Sequence, residues 1–462
     1  MRGQWRAELE RGPVALLGFG QENRALARFL AGQGVPFWVC DARAPEDRAE
    51  RDAELQPWLR GWRLGAEYLE GLERYGVAFR TPGLRPDHPA LARARAAGVR
   101  LWSQTRLFAA LSPAPLVGIT GTKGKGTTAS LLGAMLQADG RRRVWLGGNI
   151  GAPPIAWLGE LRAADLAVLE LSSFQLADWD ARLTGAVLLR IAADHLDYHG
   201  TRAAYVAAKA RLVAAQQPED WLVVDDDCPT ASAIASQTLA TVLRVSVARE
   251  VQTGAWVQDD WLWVRRPGDR AERVGAAADI PLRGRHNWSN VLAAVAAARM
   301  LGVAAPAIRA AIAGFRGLPH RLAHVASHAG VAYYDDSLAT TPEAAAAAVA
   351  AFAEPVVLIA GGASKQADFA PLARAVCAGK VRAVVLIGAE APRLAAALRA
   401  AGWDAARILD GGRSMASAVA AARSQAQPGD VVLLAPACAS FDMFRDYRAR
   451  GEAFAAAVAA LA

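Results

Sequence analysis

At 462 residues the chain is too long for one hydrophobic core and suits about three domains of roughly 100 to 200 residues each. It is 53% hydrophobic and 21% charged, which excludes a disordered chain, and no apolar run reaches the roughly 18 to 20 residues of a membrane helix. A net charge of +8 invites nucleic acid as a partner, but the basic residues are spread over the whole length without a lysine-arginine block interleaved with aromatics, so no nucleic acid is expected.

Met1 to Gly12 carries charges throughout and lacks the apolar segment of a secretory signal, so a cytoplasmic protein is expected, without membrane insertion. From Val14 an apolar strand runs into Gly18-Phe-Gly20-Gln-Glu-Asn23, a helix with apolar Ala25, Leu26, Phe29 and Leu30 follows, and a second strand, Phe37 to Cys40, ends at Asp41-Ala-Arg43. This is a Rossmann-like beginning, although a lone G-x-G without the full dinucleotide fingerprint serves equally well as a ligand-free tight turn. Thr81-Pro-Gly83 reads as a turn, Pro89 to Ala97 as a short helix, and Val99 to Trp102 as a strand. Prolines at 113 and 115 then mark a boundary, so the first domain is expected over residues 1–112.

Strand Leu116 to Thr120 opens a second domain, expected over 113–315. Strand-like runs at Ala167 to Leu171, Ala186 to Ile191 and Trp221 to Val224 alternate with helical stretches, which implies a parallel sheet covered by helices. Weaker β patterns between Val242 and Val274, with Trp256, Trp261 and Trp263, suggest an antiparallel excursion, and a helix from Asn287 to Leu301 closes the domain. A third α/β domain over 316–462 shows strands near Val331 to Tyr334, Val356 to Ile359, Ala383 to Ile387 and Val431 to Leu434. Cys40, Cys228, Cys377 and Cys438 lack the spacing of a zinc site or disulfide scaffold and read as buried free thiols.

The strongest chemical signal is Gly118-Ile-Thr-Gly121-Thr-Lys123-Gly124-Lys125-Gly126-Thr127-Thr128, after an apolar strand and before the helix Ala129 to Ala138. Glycines there turn successive N–H groups toward an anion, the helix start adds its positive end, and Lys125 reaches the outer phosphates of a nucleotide. Gly126 stands where a magnesium-binding Ser or Thr usually follows the lysine, so Thr127 is the hydroxyl candidate. Glu170-Leu-Ser-Ser-Phe-Gln175 places a carboxylate at the end of a parallel strand, where open α/β sheets gather their sites. Asp194-His195-Leu-Asp197-Tyr-His199 follows the next strand and offers imidazole and carboxylates for a second magnesium ion or for substrate.

Lysine is scarce. Only Lys123, Lys125, Lys209, Lys365 and Lys380 occur, so 47 of the 52 basic residues are arginine. Lysine is expected to persist where a compact primary amine is required, and four of the five fall inside the phosphate loop, Ala207-Ala-Lys209 or the run Gly361 to Phe369. Lys209, in the helical stretch Tyr205 to Ala214, is read as an exposed residue on an Ala-rich helix that contributes little packing.

Together these strings resemble the Mur ligase family, and within it the MurD-type, glutamate-adding subgroup. The resemblance continues through Gly148-Asn149-Ile-Gly151, Ala207-Ala-Lys209, Gly284-Arg-His286-Asn287-Trp-Ser-Asn290, Gly317-Leu-Pro-His-Arg321, Asp336-Ser-Leu-Ala-Thr340, Gly361 to Phe369 and Pro436-Ala-Cys-Ala-Ser440, spanning residues from about 14 to 454. It implies an α/β fold of three domains: a Rossmann-like UDP-binding one, a central ATP-binding one of phosphate-loop type, and a Rossmann-like one for the amino acid. It implies too that Gly121, Thr122, Lys123, Gly124, Lys125, Gly126, Thr127, Thr128, Asn287, Asn290, Arg321 and Asp336 hold ATP. Magnesium, at two sites, would fall to Thr127, Glu170, His195 and Lys209, the last as a carbamate formed with CO2. Gly20, Gln21, Asp41, Arg43, Asn149 and His199 would meet the UDP-linked substrate, and Thr340, Lys365, Ser440, Phe441 and Tyr447 the glutamate. Domains hinged at Pro113 to Pro115 and near Gly314 to Arg316 would close over the reactants and exclude water.

The activity implied is ATP-dependent ligation of glutamate to UDP-N-acetylmuramoyl-L-alanine through an acyl phosphate, a step of peptidoglycan precursor synthesis. The usual D-glutamate pattern reads Asp-Ser-Lys-Ala-Thr in the third domain, whereas Leu338 replaces that lysine here, Phe441 stands where leucine is common and Tyr447 where phenylalanine is. On those three changes L-glutamate is the expected acceptor, with D-glutamate the alternative. A folylpolyglutamate synthase-like ligase and a non-catalytic nucleotide-binding regulator remain as competing readings.

Overall fold

A computed structural model of the chain describes Trp5, Leu9 and residues 12–42, 54–192, 194–282, 284, 286–364 and 367–461. The described residues fall into two compact units, Met1–Ile280 with His286–Gly314, and Pro281–Arg285 with Phe315–Ala462. The first unit carries two sheets and the second carries one.

The N-terminal sheet runs β3-β2-β1-β4-β5, all parallel, from β1 (Val14–Leu17), β2 (Phe37–Asp41), β3 (Leu59–Leu64), β4 (Val77–Arg80) and β5 (Arg100–Trp102). Every residue of β1 and β4 is buried, as strands covered on both faces require. Strand order reverses at β1, which opens a crevice beyond its C-terminal end at Gly18 to Gly20.

The central sheet runs β14-β13-β12-β11-β10-β9-β6-β8-β7. Its strands are β6 (Leu116–Thr120), β7 (Val144–Gly148), β8 (Leu166–Glu170), β9 (Gly185–Leu188), β10 (Trp221–Asp225), β11 (Thr241–Ser246), β12 (Gly254–Gln258), β13 (Trp261–Arg265) and β14 (Glu272–Ala276). Pairing is parallel from β7 through β12 and antiparallel only from β12 to β14. The expected antiparallel excursion therefore begins later than its β pattern, because β11 still joins the parallel sheet. Here the order reverses at β6, so the phosphate loop and the end of β8 lie side by side at the switch point.

In the second unit the sheet runs β15-β16-β20-β17-β18-β19, from β15 (Ala323–His328), β16 (Val331–Asp335), β17 (Val356–Gly361), β18 (Val381–Ile387), β19 (Ile408–Asp410) and β20 (Val431–Leu434). Only β15 is antiparallel to its neighbour. Its Val, Ile and Leu runs are buried on both faces between helices.

No break in packing occurs at Pro113 to Pro115. Phe108, Leu111, Ala114 and Leu116 are all buried in a core cluster that takes in Leu26 and Phe79 of the N-terminal sheet and Leu169 and Leu188 of the central one. Phe108 meets Trp157 edge-on with ring centroids 4.7 Å apart. Polar contacts cross the same junction: Gln104 Oε1 accepts from Ile155 N at 3.1 Å, and Gln175 Nε2 donates to Glu22 Oε1 at 2.9 Å. Burial pushes the Glu22 carboxyl up to about 7, against the hydrogen bonds of Gln175 and Gln104 and the nearby Arg80 charge. Of the four cysteines, Cys40, Cys228 and Cys438 are buried free thiols, whereas Cys377 is exposed, contrary to expectation.

A carboxyl whose folded pKa lies above its unfolded one stabilises the fold at low pH and loses that contribution as pH rises through the folded value. Glu22→Gln keeps an acceptor for Gln175 and removes the ionisable group. Its melting temperature should exceed wild type by a few degrees at pH 8, on the order of 2 kcal/mol, with most of the gain gone at pH 5. An equal shift at both pH values in a thermal melt would show that ionisation of Glu22 is not the cause.

Candidate active site

Strand β6 ends at Thr120, and the loop Gly121-Thr-Lys-Gly124 leads into the helix Lys125–Asp139. Gly121 is forced by space, since a Cβ there would stand 2.7 Å from Cβ of Leu189. At Gly124 both space and conformation forbid a side chain: φ is +86°, and a Cβ would lie 2.0 Å from Asn290 Oδ1. Asn290 thus sits directly on the loop, held by Nδ2 donating to Asn287 Oδ1 at 3.0 Å, while Thr128 Oγ1 donates to its carbonyl at 3.4 Å. Neighbouring Ser289 donates to Asp225 Oδ2 at 3.0 Å. Lys125 folds back over the loop, with Nζ donating to the carbonyls of Gly121 and Thr122 at 3.1 and 3.2 Å. Gly121 to Thr128, Asn287 and Asn290, expected to hold ATP, are therefore brought together, with Thr127 buried on the first turn of the helix.

Glu170 closes β8 at 2% exposure. Its Oε2 accepts from Asn149 Nδ2 at 3.1 Å, its Oε1 lies 3.9 Å from Lys125 Nζ, and that Oε1 is buried without a hydrogen bond. The run Gly148-Asn149 exists to allow this approach: a Cβ at Gly148, φ +104°, would strike the Glu170 carbonyl at 2.1 Å, and Asn149 N donates to that carbonyl at 2.8 Å. A buried carboxylate oxygen left unpaired is costly unless a cation meets it.

Lys209 is not the exposed residue expected. It is 1% exposed on the helix Arg202–Ala210, whose inner face it shares with Tyr205. Nζ donates to Thr120 Oγ1 at 3.2 Å and Gly121 O at 2.8 Å and lies 4.8 Å from the Tyr205 ring centroid, while Tyr205 OH and Thr122 Oγ1 are 2.9 Å apart. Burial, followed by repulsion from Lys125, lowers its pKa to about 7. His195 adopts φ +50°, is half exposed, and has Nε2 3.9 Å from Asp194 Oδ2, whose carboxylate lies 3.5 Å from Lys123 Nζ. The Phe174 ring stands 4.8 Å from the His195 ring, and His199 Nε2 is 3.0 Å from Ser173 Oγ. Among the described residues no three of His, Cys, Asp and Glu form a metal-binding cluster. Mg2+ does not need one, since it binds through one or two protein groups plus phosphates and water, and the orphaned Glu170 oxygen beside the phosphate loop fits that pattern.

In the N-terminal crevice Asp41 Oδ2 accepts from Phe19 N at 2.8 Å, which fixes the turn that presents Gly20 and Gln21, both exposed. Arg43 lies outside the described residues.

Within the second unit, Asp336 follows β16 and is buried; burial pushes its carboxyl up to about 7 although Oδ1 accepts from Leu322 N at 3.2 Å and the Arg321 charge opposes the shift. His320, with φ +61°, has Nδ1 2.7 Å from Asp335 Oδ2 and gives its carbonyl to Leu338 N at 3.0 Å, so the Leu-Pro-His-Arg and Asp-Ser-Leu-Ala-Thr strings hold each other. Thr340 N bonds to Leu338 O at 2.8 Å. Ser440 is buried, Phe441 is 75% exposed, and Tyr447 lies with its ring centroid 6.0 Å from that of His320. Lys365 lies outside the described residues.

Sequence reading missed Arg450, which is 1% exposed and donates to Ser337 Oγ and O and to the carbonyls of Cys438 and Ala439, tying two candidate amino-acid loops together. It missed Tyr205 as well, although its place four residues before Lys209 on one helix face was a legible signal. Asp225 and Arg80 carried none.

The Mur ligase middle domain matches residues 119–298, and the Mur ligase glutamate ligase domain matches residues 320–438. A protein of Symbiobacterium thermophilum named UDP-N-acetylmuramoylalanine--D-glutamate ligase is 40% identical over 97% of this chain and 98% of its own. One of the same name from Acidobacterium capsulatum is 39% identical over 97% and 96%. Among solved structures, the UDP-N-acetylmuramate-alanine ligase of Thermotoga maritima aligns with a TM-score of 0.59 at 17% identity over 97% of this chain and all of that one. The MurF ligase of the same organism, in complex with ADP, aligns at 0.56 and 17% over 98% and 96%, and this likeness speaks for the fold alone. The relatives' names carry D-glutamate, so the expectation of L-glutamate finds no support in them.

Gly124→Ala places a methyl group into Asn290 and demands a strained backbone. Nucleotide-induced thermal stabilisation should fall by at least half while the ligand-free melting temperature stays within a few degrees of wild type. A full ATP-dependent shift in this variant would remove the Gly124 to Asn290 contact from nucleotide binding.

Proposed function

This chain belongs to the Mur ligases, ATP-dependent enzymes that form amide bonds, and from that premise we propose that it joins glutamate to the alanyl carboxylate of UDP-N-acetylmuramoyl-L-alanine in peptidoglycan precursor synthesis, in the cytoplasm. Residues 1–112 would hold the UDP moiety, 113–315 ATP and 316–462 the amino acid. The observation that carries the reading is Lys125 facing an orphaned Glu170 oxygen across 3.9 Å at the end of neighbouring strands, in a chain 40% identical to a named ligase over nearly its full length.

A carboxylate is a poor electrophile and must be activated. The alanyl carboxylate oxygen attacks the γ-phosphorus of ATP, the bond to the bridging oxygen breaks, and ADP leaves with that electron pair. Lys125 and the loop amides hold the phosphates and balance the charge that spreads over them in transfer. Asn287 and Asn290 position the nucleotide from the loop's other side, and the family resemblance assigns Arg321 and Asp336 to ATP as well. The glutamate amine then attacks the acyl carbon, and the tetrahedral intermediate expels phosphate as the amine sheds a proton. Thr340, Lys365, Ser440, Phe441 and Tyr447 would receive glutamate, and Gly20, Gln21, Asp41, Arg43, Asn149 and His199 the UDP-linked chain.

Magnesium, when bound, supplies charge neutralisation at the phosphate oxygens, and Thr127, Glu170, His195 and Lys209 would hold it. Lys209 would serve that purpose only as a carbamate: its neutral Nζ attacks the carbon of CO2, one C=O electron pair moves onto oxygen, the amine proton passes to solvent, and the neutral amine becomes an anion. Burial favours the neutral amine this reaction requires, since the pKa lies near 7 rather than above 10.

D-glutamate is the acceptor the named relatives favour. One observation favours the other enantiomer: Leu338 stands in the third-domain loop where the usual pattern has lysine, which removes a charge-assisted contact to a carboxylate worth about 1.5 to 3 kcal/mol. Comparing kcat/KM for the two enantiomers by phosphate release should give D-glutamate an advantage of tenfold or more, about 1.4 kcal/mol at the transition state. An equal advantage for L-glutamate would establish the reading that rests on Leu338, and no phosphate release with either would end the glutamate proposal.

Lys209→Ala should lower turnover by roughly 10²- to 10³-fold, with partial recovery in millimolar acetate. In the wild type, protonation competes with CO2 below the folded pKa, so at equal dissolved CO2 the depleted enzyme should regain activity several-fold faster at pH 8 than at pH 6. Restoration at equal rates, or a fully active Lys209→Ala enzyme, would overturn the carbamate assignment.

A further inference from the structure

Arg80 ends β4 and is among the largest side chains in the chain to be fully buried, at 1% exposure. Nε and Nη2 grip the Asp178 carboxylate side-on at 2.8 and 2.7 Å, closing an ion pair between residues 98 positions apart. Nη2 also donates to Phe174 O at 3.0 Å, and Nη1 lies within reach of the carbonyls of Thr81, Pro82 and Leu84 at 3.4, 3.3 and 3.0 Å. One planar fork therefore holds the turn after β4, the helix Ser173–Leu176 that follows Glu170, and Asp178 beyond it. Lysine has neither the number nor the spread of donors for this.

Both ends of the grip lead to functional ground. Thr81 packs on Gly18, whose Cβ would come within 2.8 Å of Thr81 Cγ2, so the turn 81–84 borders the crevice beyond β1. At the other end, the Phe174 ring stacks among His195, Tyr198 and His199, with centroids 4.8, 4.2 and 5.8 Å away, and adjacent Ser173 meets His199. Tyr198 OH donates to Pro82 O at 2.9 Å, which returns the chain of contacts to the same turn. For stability alone, apolar residues of similar volume usually serve a buried ion pair's place as well or better. What a guanidinium adds here is a fixed distance between three backbone segments.

We propose that Arg80 is a positioning residue: through Phe174 and the turn 81–84 it sets the UDP-substrate crevice at a fixed register to Glu170, His195 and His199. The inference rests on the reading that this crevice takes the UDP-linked substrate. Arg80→Met should raise KM for UDP-N-acetylmuramoyl-L-alanine about tenfold or more while KM for ATP moves less than about twofold. Arg80→Lys, which keeps a charge opposite Asp178 but forfeits most of the carbonyl bonds, should fall between, and Tyr198→Phe should raise the same KM alone. In hydrogen exchange, peptides covering 171–180 and 194–200 should exchange faster in Arg80→Met, with the strand 116–120 unchanged. Unchanged UDP-substrate KM and exchange in a folded variant, or an equal rise in both KM values, would overturn the proposal. Should Arg80→Met fail to fold, the Lys and Tyr198→Phe variants decide it on the same measurements. If wild type shows no turnover, the ligase reading falls, and the exchange comparison alone judges whether Arg80 holds these segments.

Discussion

Taking a lysine amine out of water beneath a phosphate-binding loop constrains the whole centre of this molecule. Lys209 is held by Thr120 Oγ1 and Gly121 O, the last residue of a parallel strand and the first of the loop, so the helix that carries it is pinned to the loop it underlies. Burial with Lys125 close by makes a full charge there expensive, and the amine accordingly loses its proton near neutrality. Tyr205, on the same helix face, covers the amine and reaches Thr122, which in turn accepts from Ala192 N at the start of the segment leading to His195. Loop, lysine helix and histidine segment are consequently one hydrogen-bonded body.

Around that body, close approach rather than flexibility explains the glycines that matter. Gly124 admits Asn290, and Gly148 admits the backbone of Glu170. Each lets a polar group, a side-chain amide at Gly124 and a main-chain carbonyl at Gly148, stand where a β-carbon would otherwise be, which is how a sheet with fully buried strands presents carboxylate, amide and ammonium groups at a single edge. Brought to such an edge, Glu170 Oε1 faces Lys125 but accepts no hydrogen bond, an arrangement a folded protein keeps where a ligand completes it.

The second unit solves a related problem by different means. Its loops after β16 and β20 are irregular, with Ala437 at φ +61°, and have no glycine turn to define them. Arg450 defines them instead, donating into carbonyls of both loops from the helix Tyr447–Ala459. Arg80 in the first unit and Arg450 in the second share a logic: a buried guanidinium spends its donors on main-chain carbonyls and thereby fixes loops that side-chain packing alone leaves free.

Local signals carried much of this protein's identity. The phosphate loop, Glu170 at a strand end, the Asp194 to His199 segment and the alternation of apolar strands with helices were legible because each depends on residues within about a dozen positions of one another, and the strings they form sufficed for the family. Strands with mixed faces were not legible: β3 interleaves arginine at a sheet edge, and β4 is four residues long and ends in an arginine buried by a partner 98 positions away. The exposure of Lys209 was misjudged for the same reason, since an Ala-rich helix shows its own amphipathic face but not the loop that packs over it. The expectation of L-glutamate rested on the residue types at Leu338, Phe441 and Tyr447, and residue types alone do not set what those side chains do. What residues adjacent in sequence say to one another was determined before folding; the protonation of Lys209, the grip of Arg80 and the hub of Arg450 arose only when distant segments excluded water together, because desolvation belongs to the packed structure and not to any stretch of the chain.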